Sequence, residues 1–226
     1  MTVEKFMIYI VVPAYNEAKK IGRVIRDLFQ HGYKNIVVID DGSSDDTCVE
    51  AKKTGIQVVR HEVNRGQGAS LQTGNEFSLK QGADVIVHFD ADGQMSAEDI
   101  GHAIDKMQRE NLDIVLGSRF LGKTTGMPWT KKFIILPLAR LFNNIFSGLK
   151  LTDVHNGFRV LSRRATEKII ITQEGMAHNS EITAQIKKLG LKYAEYPVKI
   201  VYNEYGQGVG GGVKILRDLI VNKLIK

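Results

Sequence analysis

The feature that most constrains the fold of this chain is the alternation of short apolar runs with helical segments in its first 117 residues. The apolar runs, rich in valine and isoleucine, predict five strands: Met7–Pro13, Asn35–Asp40, Ile56–Arg60, Asp84–Phe89 and Asp113–Gly117. The segments between them predict four helices: Asn16–Gln30, Thr47–Lys53, Ala69–Lys80 and Ala97–Arg109. Apolar strands separated by helices are typical of a parallel sheet covered on both faces, so we predict an α/β fold.

The alternation ends near residue 120, and the rest of the chain has a different pattern. An amphipathic segment at 128–148 is followed by four predicted elements and a glycine-rich loop: a strand near Phe158–Leu161, a helix over Ser180–Leu189, a strand over Tyr193–Tyr202, the loop Gly206–Gly212 and a basic helix over Val213–Ile225. Neither an internal repeat nor a low-complexity linker appears. We therefore expect one domain that spans residues 1–226.

Charge and cysteine content narrow the classes of partner. The formal net charge of +6 suits an anionic partner, such as a phosphate-bearing substrate, an acidic membrane surface or nucleic acid. The single cysteine, Cys48, excludes an intrachain disulfide and favours a reducing compartment. Since no apolar run reaches the ~18–20 residues that a bilayer-spanning helix needs, we expect none.

Polar residues follow each predicted strand at the point where it ends. The sequences there read PAYNE from Pro13, DDGSSDD from Asp40, HEVNRGQG from His61, DADGQ from Asp90 and GSRF from Gly117. Because parallel strands end at the same edge of a sheet, we expect these segments to meet where α/β proteins bind ligands. Acidic strand ends also argue against nucleic acid as the partner.

The DADGQ segment is the best candidate for a metal site. Asp90 and Asp92 lie two residues apart beyond a strand, and in extended geometry both carboxylates point to the same side. Such a pair suits a hard cation, Mg²⁺ or Mn²⁺, which takes oxygen ligands and bridges to phosphates. Gln94 offers a further oxygen. The alternative is an ordinary turn, in which aspartate and glycine are common.

The first two strand ends carry candidate binding residues. Asp41 can accept hydrogen bonds from a nucleobase or a ribose, and Tyr15 can stack on a base. Asn16 is predicted to cap the helix after the first strand, with Glu17 in its first turn. Asp45 or Asp46 is expected to cap the next helix.

Six collinear segments carry a family resemblance: VVPAYNEAKKIGRVI, VVIDDGSSDDT, NRGQGASLQTG, FDADGQ, GSRF and DVHNGFRVLSR. Together they resemble family 2 glycosyltransferases, and among these the dolichol-phosphate mannose synthase and polyprenyl-phosphate glycosyltransferase branch. The resemblance covers residues 7 to about 205. The glycine-rich stretch YNEYGQGVGGG departs from the mannose synthases, which show a basic residue followed by a GxSK sequence.

The resemblance implies a GT-A fold, a Rossmann-like nucleotide-binding half with a mixed, mostly parallel sheet and helices on both faces. It implies that residues 1–120 bind the nucleotide sugar and that residues 121–226 form the acceptor side. The residues it assigns to the nucleotide sugar are Pro13, Tyr15, Asn16, Glu17, Asp41 and Asp90. Those it assigns to Mg²⁺ or Mn²⁺ and the donor diphosphate are Asp90, Asp92 and Gln94.

The implied reaction is inverting transfer of a hexose to a polyprenyl or dolichyl phosphate, from a donor of GDP-mannose or UDP-glucose type. Ser118 and Arg119 would reach the acceptor phosphate, with Arg140 as a weaker candidate and Arg159 either there or in a structural ion pair. An ionised phosphate acceptor needs positioning by arginine rather than deprotonation. If the acceptor is instead a saccharide hydroxyl, a general base is required, and Glu181 is the candidate.

The amphipathic stretches Phe133–Phe146 and Val213–Ile225 favour a peripheral enzyme on the cytoplasmic face of a membrane, with a separate membrane anchor protein as a further partner. Their alternative role is packing on the core.

Two other classes of protein fit the sequence less well. A sugar-phosphate nucleotidyltransferase would need a glycine-rich basic loop where PAYNE stands, and a non-catalytic nucleotide-sugar sensor would not need Asp90, Asp92 and Gln94.

Overall fold

The strands of this computed structural model, which describes residues 6–121, 149–175 and 177–199, form one seven-stranded sheet. The strands are β1 (Ile8–Ala14), β2 (Ile36–Asp40), β3 (Gln57–Arg60), β4 (Val85–His88), β5 (Ile114–Ser118), β6 (Arg159–Ser162) and β7 (Tyr193–Pro197). Their spatial order is β3-β2-β1-β4-β6-β5-β7. The six predicted strands other than β7 lie within about two residues of their expected bounds. The predicted continuation of β7 beyond residue 199 lies outside the described residues.

Within the described ranges, six helices connect or follow these strands: α1 (Ala18–Gln30), α2 (Thr47–Lys52), α3 (Gln67–Lys80), α4 (Glu98–Arg109), α5 (Arg163–Lys168) and α6 (His178–Lys188). The short helix α5 was not predicted. It begins where the Ser162 hydroxyl accepts a hydrogen bond from the Ala165 amide, at 3.2 Å. A serine N-cap of this kind is the local signal that the apolar pattern did not reveal.

The sheet is mixed but mostly parallel, as predicted. β1 pairs in parallel with β2 and β4, and β7 pairs in parallel with β5. The exception is β6, which runs antiparallel to both of its neighbours, β4 and β5. Since β1 lies between β2 and β4, the strand order reverses at β1, and ligands of α/β sheets bind beyond such a switch point.

The core consists of two apolar layers, one on each face of the sheet. The first packs α1 and α4 on the sheet through residues such as Ile25 and Ile100, and the second packs α3 and α6 through Leu71 and Ile186. Burial on both faces explains why the strands are apolar throughout rather than alternating. Cys48 is a buried free thiol in α2.

Within residues 6–121, 149–175 and 177–199, no helix is both long and apolar enough to cross a membrane. Several sequence predictions lie outside the described residues: Arg140, the segments Phe133–Phe146 and Val213–Ile225, and the loop Gly206–Gly212.

Candidate active site

A cleft of about 460 Å³ opens at the carboxyl ends of β1, β2 and β4. Its lining includes six of the residues singled out in the sequence: Pro13, Tyr15, Glu17, Asp41, Asp90 and Asp92. It also includes polar or small residues that sequence reasoning did not assign to it, among them Gln67, His155, Gly157 and Asn179. The cleft therefore combines the strand ends of the first half with residues from beyond position 150.

Asp90 lies at the centre of this arrangement. Its Oδ1 accepts a hydrogen bond from the Gln67 side-chain amide at 2.9 Å. Withdrawal from water and the neighbouring Asp92 carboxylate raise the pKa of Asp90 to about 6, and the charges of Arg159 and Arg119 act in the opposite direction. A carboxylate whose ionisation is opposed by a second carboxylate beside it is a place where a cation is favoured.

The residues present fit a divalent cation that also binds a substrate. Asp90 and Asp92 both face the cleft, and Asp92 Oδ1 accepts the Gln94 amide N–H at 2.9 Å. Gln94 itself is not part of the cleft lining. Among the described residues, no three histidine, cysteine or acidic side chains cluster as a metal site. At nucleotide sites, Mg²⁺ is usually bound by one or two carboxylates, and substrate phosphates supply further ligands.

Asp41 lines the cleft, but its carboxylate is engaged by the loop after β3. Oδ1 accepts the Arg65 amide at 3.0 Å and contacts the His61 ring nitrogen at 2.7 Å, while Oδ2 accepts the Gly66 amide at 2.7 Å. Its role in binding the nucleoside stays a prediction. What the geometry adds is that Asp41 shapes the loop that leads into α3.

Replacing Asp41 by alanine is therefore expected to destabilise the fold. The part-buried Arg65 and Gly66 amides and the buried His61 ring would lose their shared acceptor, at about 1 kcal/mol for each hydrogen bond removed. We expect the free energy of unfolding in urea to fall by about 3 kcal/mol. Asp46→Ala is the matched control, because Asp46 is exposed and its side chain caps no helix. Equal stability of the two variants would contradict this role.

The prediction that Asn16 caps α1 is wrong. Helix α1 begins at Ala18 after Glu17, and Asn16 lies before it in a left-handed conformation with φ of 55°. The Asn16 side chain instead accepts the Ser44 amide at 2.9 Å, which ties the β1 loop to the β2 loop. Asp45 accepts the amides of Ala18, at 3.2 Å, and Thr47, at 3.0 Å. Asp45 thus serves the starts of both α1 and α2.

Arg119 and Ser118 lie beside the cleft rather than in its lining. The Arg119 guanidinium forms a two-bond ion pair with Asp153, at 2.7 and 2.8 Å. Ser118 is fully buried, with its hydroxyl 2.6 Å from that of Thr152. Arg119 is near enough to influence the pKa of Asp90. The structure thus places Arg119 at the side of the cleft. Ser118 lies buried beside Thr152 and does not line the cleft.

Glu181 is not in the cleft lining. Its carboxylate accepts the amides of Thr172, at 2.9 Å, and Gln173, at 3.0 Å, and also bonds the Thr172 hydroxyl. Its position in the first turn of α6 also suits the helix dipole. The described contacts of Glu181 are thus those of an anchor for the segment before α6.

Arg159 is the largest fully buried side chain beneath the cleft. It donates to Asn179 Oδ1, and to the Gly157 carbonyl at 3.4 Å. Burial lowers the pKa of Arg159 to about 10, and the charges of Asp90 and Asp153 limit that decrease. The arginine therefore stays charged at neutral pH and supplies positive charge below the two carboxylates.

His178, also buried, makes the stability of the fold depend on pH. Burial and the charge of Arg159 lower the pKa of His178 to about 4, against about 6.5 in the unfolded chain. Between these values the unfolded state binds more protons, so the free energy of unfolding falls as the pH falls. When the pH is lowered from 7 to 5, we expect the free energy of unfolding in urea to fall by about 2 kcal/mol less in His178→Gln than in the wild type. The exposed His102, changed to glutamine, is the control, and identical pH slopes would contradict the assignment.

Comparison with solved structures defines the class of this fold. The chain resembles glucosyl-3-phosphoglycerate synthase from Mycobacterium tuberculosis, solved in complex with Mn²⁺, UDP-glucose and phosphoglyceric acid, with a TM-score of 0.74 and 19% identity. The match covers 97% of this chain and 79% of that one. This is the GT-A fold of nucleotide-sugar glycosyltransferases, as predicted.

Sequence comparison then gives the family. Residues 9–170 match the family described as Glycosyl transferase family 2, and this chain is a glycosyltransferase that belongs to it. The chain is 39% identical to the uncharacterized protein MJ1222 of Methanocaldococcus jannaschii, over 98% of this chain and 94% of that protein. It is 32% identical to UDP-N-acetylglucosamine–dolichyl-phosphate N-acetylglucosaminyltransferase of Methanococcus voltae, over 97% of each. It is 26% identical to polyprenol monophosphomannose synthase of Mycolicibacterium smegmatis, over 91% of this chain and 82% of that one.

Proposed function

We propose that this enzyme transfers a hexose-type sugar from a nucleotide sugar to a polyprenyl or dolichyl phosphate, with a divalent cation bound by Asp90 and Asp92. The observation that carries the proposal is the pair of carboxylates facing the cleft at the switch point of the sheet. The choice of acceptor is supported by the two relatives whose names include a lipid phosphate or a polyprenol, since both align with most of this chain.

The donor is proposed only at the level of its class. The two relatives carry different sugars in their names, N-acetylglucosamine and mannose. We therefore keep GDP-mannose and UDP-glucose as donors to test, and add UDP-N-acetylglucosamine. Mg²⁺ and Mn²⁺ both suit oxygen ligands and are both retained.

The residues of the cleft suit the electrostatics of this transfer. A bound cation would stabilise the charge that develops on the leaving nucleoside diphosphate. Asp90 and Asp92 would hold the cation. The positive charge of the buried Arg159 offsets part of the negative charge of these two carboxylates. Arg119, held in a fixed orientation by Asp153, would help to place an ionised acceptor phosphate beside the cleft. Such an acceptor needs no general base, which is consistent with the position of Glu181 outside the lining.

A transfer assay tests the proposal. Purified protein is incubated with Mn²⁺ or Mg²⁺, each of the three nucleotide sugars and a short-chain polyprenyl phosphate, and glycolipid is detected by mass spectrometry. We expect cation-dependent glycolipid with one donor. If the enzyme transferred sugar to a saccharide hydroxyl and not to the lipid phosphate, the proposed lipid acceptor would be wrong and the saccharide would take its place. Transfer that persists in excess EDTA would refute the role of the cation.

We also propose that the enzyme works at the cytoplasmic face of a membrane as a peripheral protein. The support is the lipid acceptor proposed above together with the amphipathic sequences Phe133–Phe146 and Val213–Ile225. The test is flotation with vesicles that contain an anionic lipid. Failure to float at low salt would contradict the peripheral attachment.

A further inference from the structure

Gln67 touches the carboxylate that we assign to the cation. It is the first residue of α3 and lines the cleft, and its side-chain amide donates to Asp90 Oδ1 at 2.9 Å. The other side of the carboxylate is occupied by backbone, because a Cβ added at Gly157 would lie 2.2 Å from Asp90 Oδ2. Asp90 is thus held between an amide donor and a glycine.

The start of α3 is itself tightly fixed. The Gly68 amide donates to the Glu174 carbonyl at 2.9 Å. A Cβ on Gly68 would lie 1.9 Å from the Gln173 carbonyl oxygen, and one on Gly66 would lie 2.3 Å from that of Glu174. Gly66 also has a φ of 92°, which favours glycine. The backbone on both sides of Gln67 therefore packs directly on residues 173–174.

The segment that receives α3 is anchored in turn. Glu181 accepts the amides of Thr172 and Gln173 and so fixes this segment to the first turn of α6. On the other side, the Gly66 amide donates to Asp41 at 2.7 Å. A continuous set of contacts thus runs from α6 through residues 172–174 to Gln67 and on to Asp90.

We propose that Gln67 is a positioning residue that orients Asp90 for binding the divalent cation. The inference rests on the proposed function, in which Asp90 is a ligand of that cation. Carboxylate ligands are commonly hydrogen-bonded by a second residue, and loss of that residue typically weakens metal affinity by about 10–100-fold. A glutamine suits the task because its amide donates a hydrogen bond without a charge, whereas a lysine would compete with the cation and a glutamate would repel Asp90.

The test compares Gln67→Met with Gln81→Met in the full chain. Gln81 follows the other end of the same helix and is exposed, so its replacement controls for the chemical change. Mn²⁺ affinity is measured by calorimetry and electron paramagnetic resonance, in the presence of UDP or GDP. We expect Gln67→Met to bind Mn²⁺ at least about 10-fold more weakly, with an unchanged melting temperature, and Gln81→Met to match the wild type.

A spectroscopic measurement separates positioning from a merely structural role. The side-chain amide signal of Gln67 in a ¹⁵N–¹H spectrum is assigned by its loss in Gln67→Met. We expect Mg²⁺ with the nucleoside diphosphate to shift this signal in the wild type but not in Asp90→Asn. Unchanged Mn²⁺ affinity in Gln67→Met, or a wild type that binds no Mn²⁺, would overturn the inference. Because these readouts need no acceptor, a failure of lipid transfer would refute the proposed function and leave this result standing.

Discussion

Replacing Asp92 by asparagine is expected to reduce sugar transfer by about a thousandfold, equivalent to about 4 kcal/mol of transition-state stabilisation. The change keeps the shape of the side chain and leaves an oxygen to accept the Gln94 amide. It removes one of the two negative charges of the Asp90 and Asp92 pair, which a divalent cation would need there. The measurement is kcat/KM for glycolipid formation at saturating Mn²⁺, together with the Mn²⁺ affinity.

The control for this variant is Asp105→Asn on the exposed side of α4. It makes the same chemical change away from the cleft and should leave kcat/KM within about twofold, as surface substitutions usually do. If Asp92→Asn transferred sugar at the wild-type rate, the cation site would have to be assigned to other residues.

The second large effect is expected from Gly157→Ala. The added methyl group would lie 2.2 Å from Asp90 Oδ2 and 2.7 Å from Oδ1, so the carboxylate must move from its position. We expect transfer and Mn²⁺ affinity to fall by about 100-fold, since a carboxylate that binds a cation tolerates little displacement. The free energy of unfolding should fall by about 1–3 kcal/mol, as in other overpacked sites.

Gly175→Ala is the matched control, because a Cβ at Gly175 meets nothing within 4 Å. It should retain wild-type transfer and stability. Full activity of Gly157→Ala would mean that Asp90 can bind the cation from another rotamer.

The sequence predicted the first half of the fold well because its elements are local. Burial on both faces makes the strands continuous apolar runs, and the polar residues after each run mark the edge of the sheet. The residues at that edge, such as Tyr15, Asp41 and Asp90, could therefore be predicted from the sequence. The short helix α5 was missed because its six residues, RRATEK, include a single apolar side chain, Ala165, and so show no helical period.

The part of the cleft that could not be predicted is made by contacts between distant positions. Gln67 reaches Asp90 across 23 residues, and Arg159 reaches Asn179 across 20. The prediction for Asn16 failed for a local reason. Asn16 has the side chain of an N-cap residue, but its left-handed backbone directs that side chain to the neighbouring loop. Arg159 was predicted either to contact a phosphate or to form an ion pair. The structure shows it donating to the Asn179 side-chain oxygen and to the Gly157 carbonyl, and a phosphate contact stays a prediction.

The reversed strand β6 has a consequence for synthesis on the ribosome. It lies between β4 and β5 in the sheet but is translated after both. A nascent chain that ends at residue 121 would expose the full edge of β4, and its β5 would lack both of the partners that it has among the described strands. Open strand edges are templates for aggregation. We therefore expect the emerging chain to be most prone to aggregation between the synthesis of β5 and that of β6, when its first five strands are already translated.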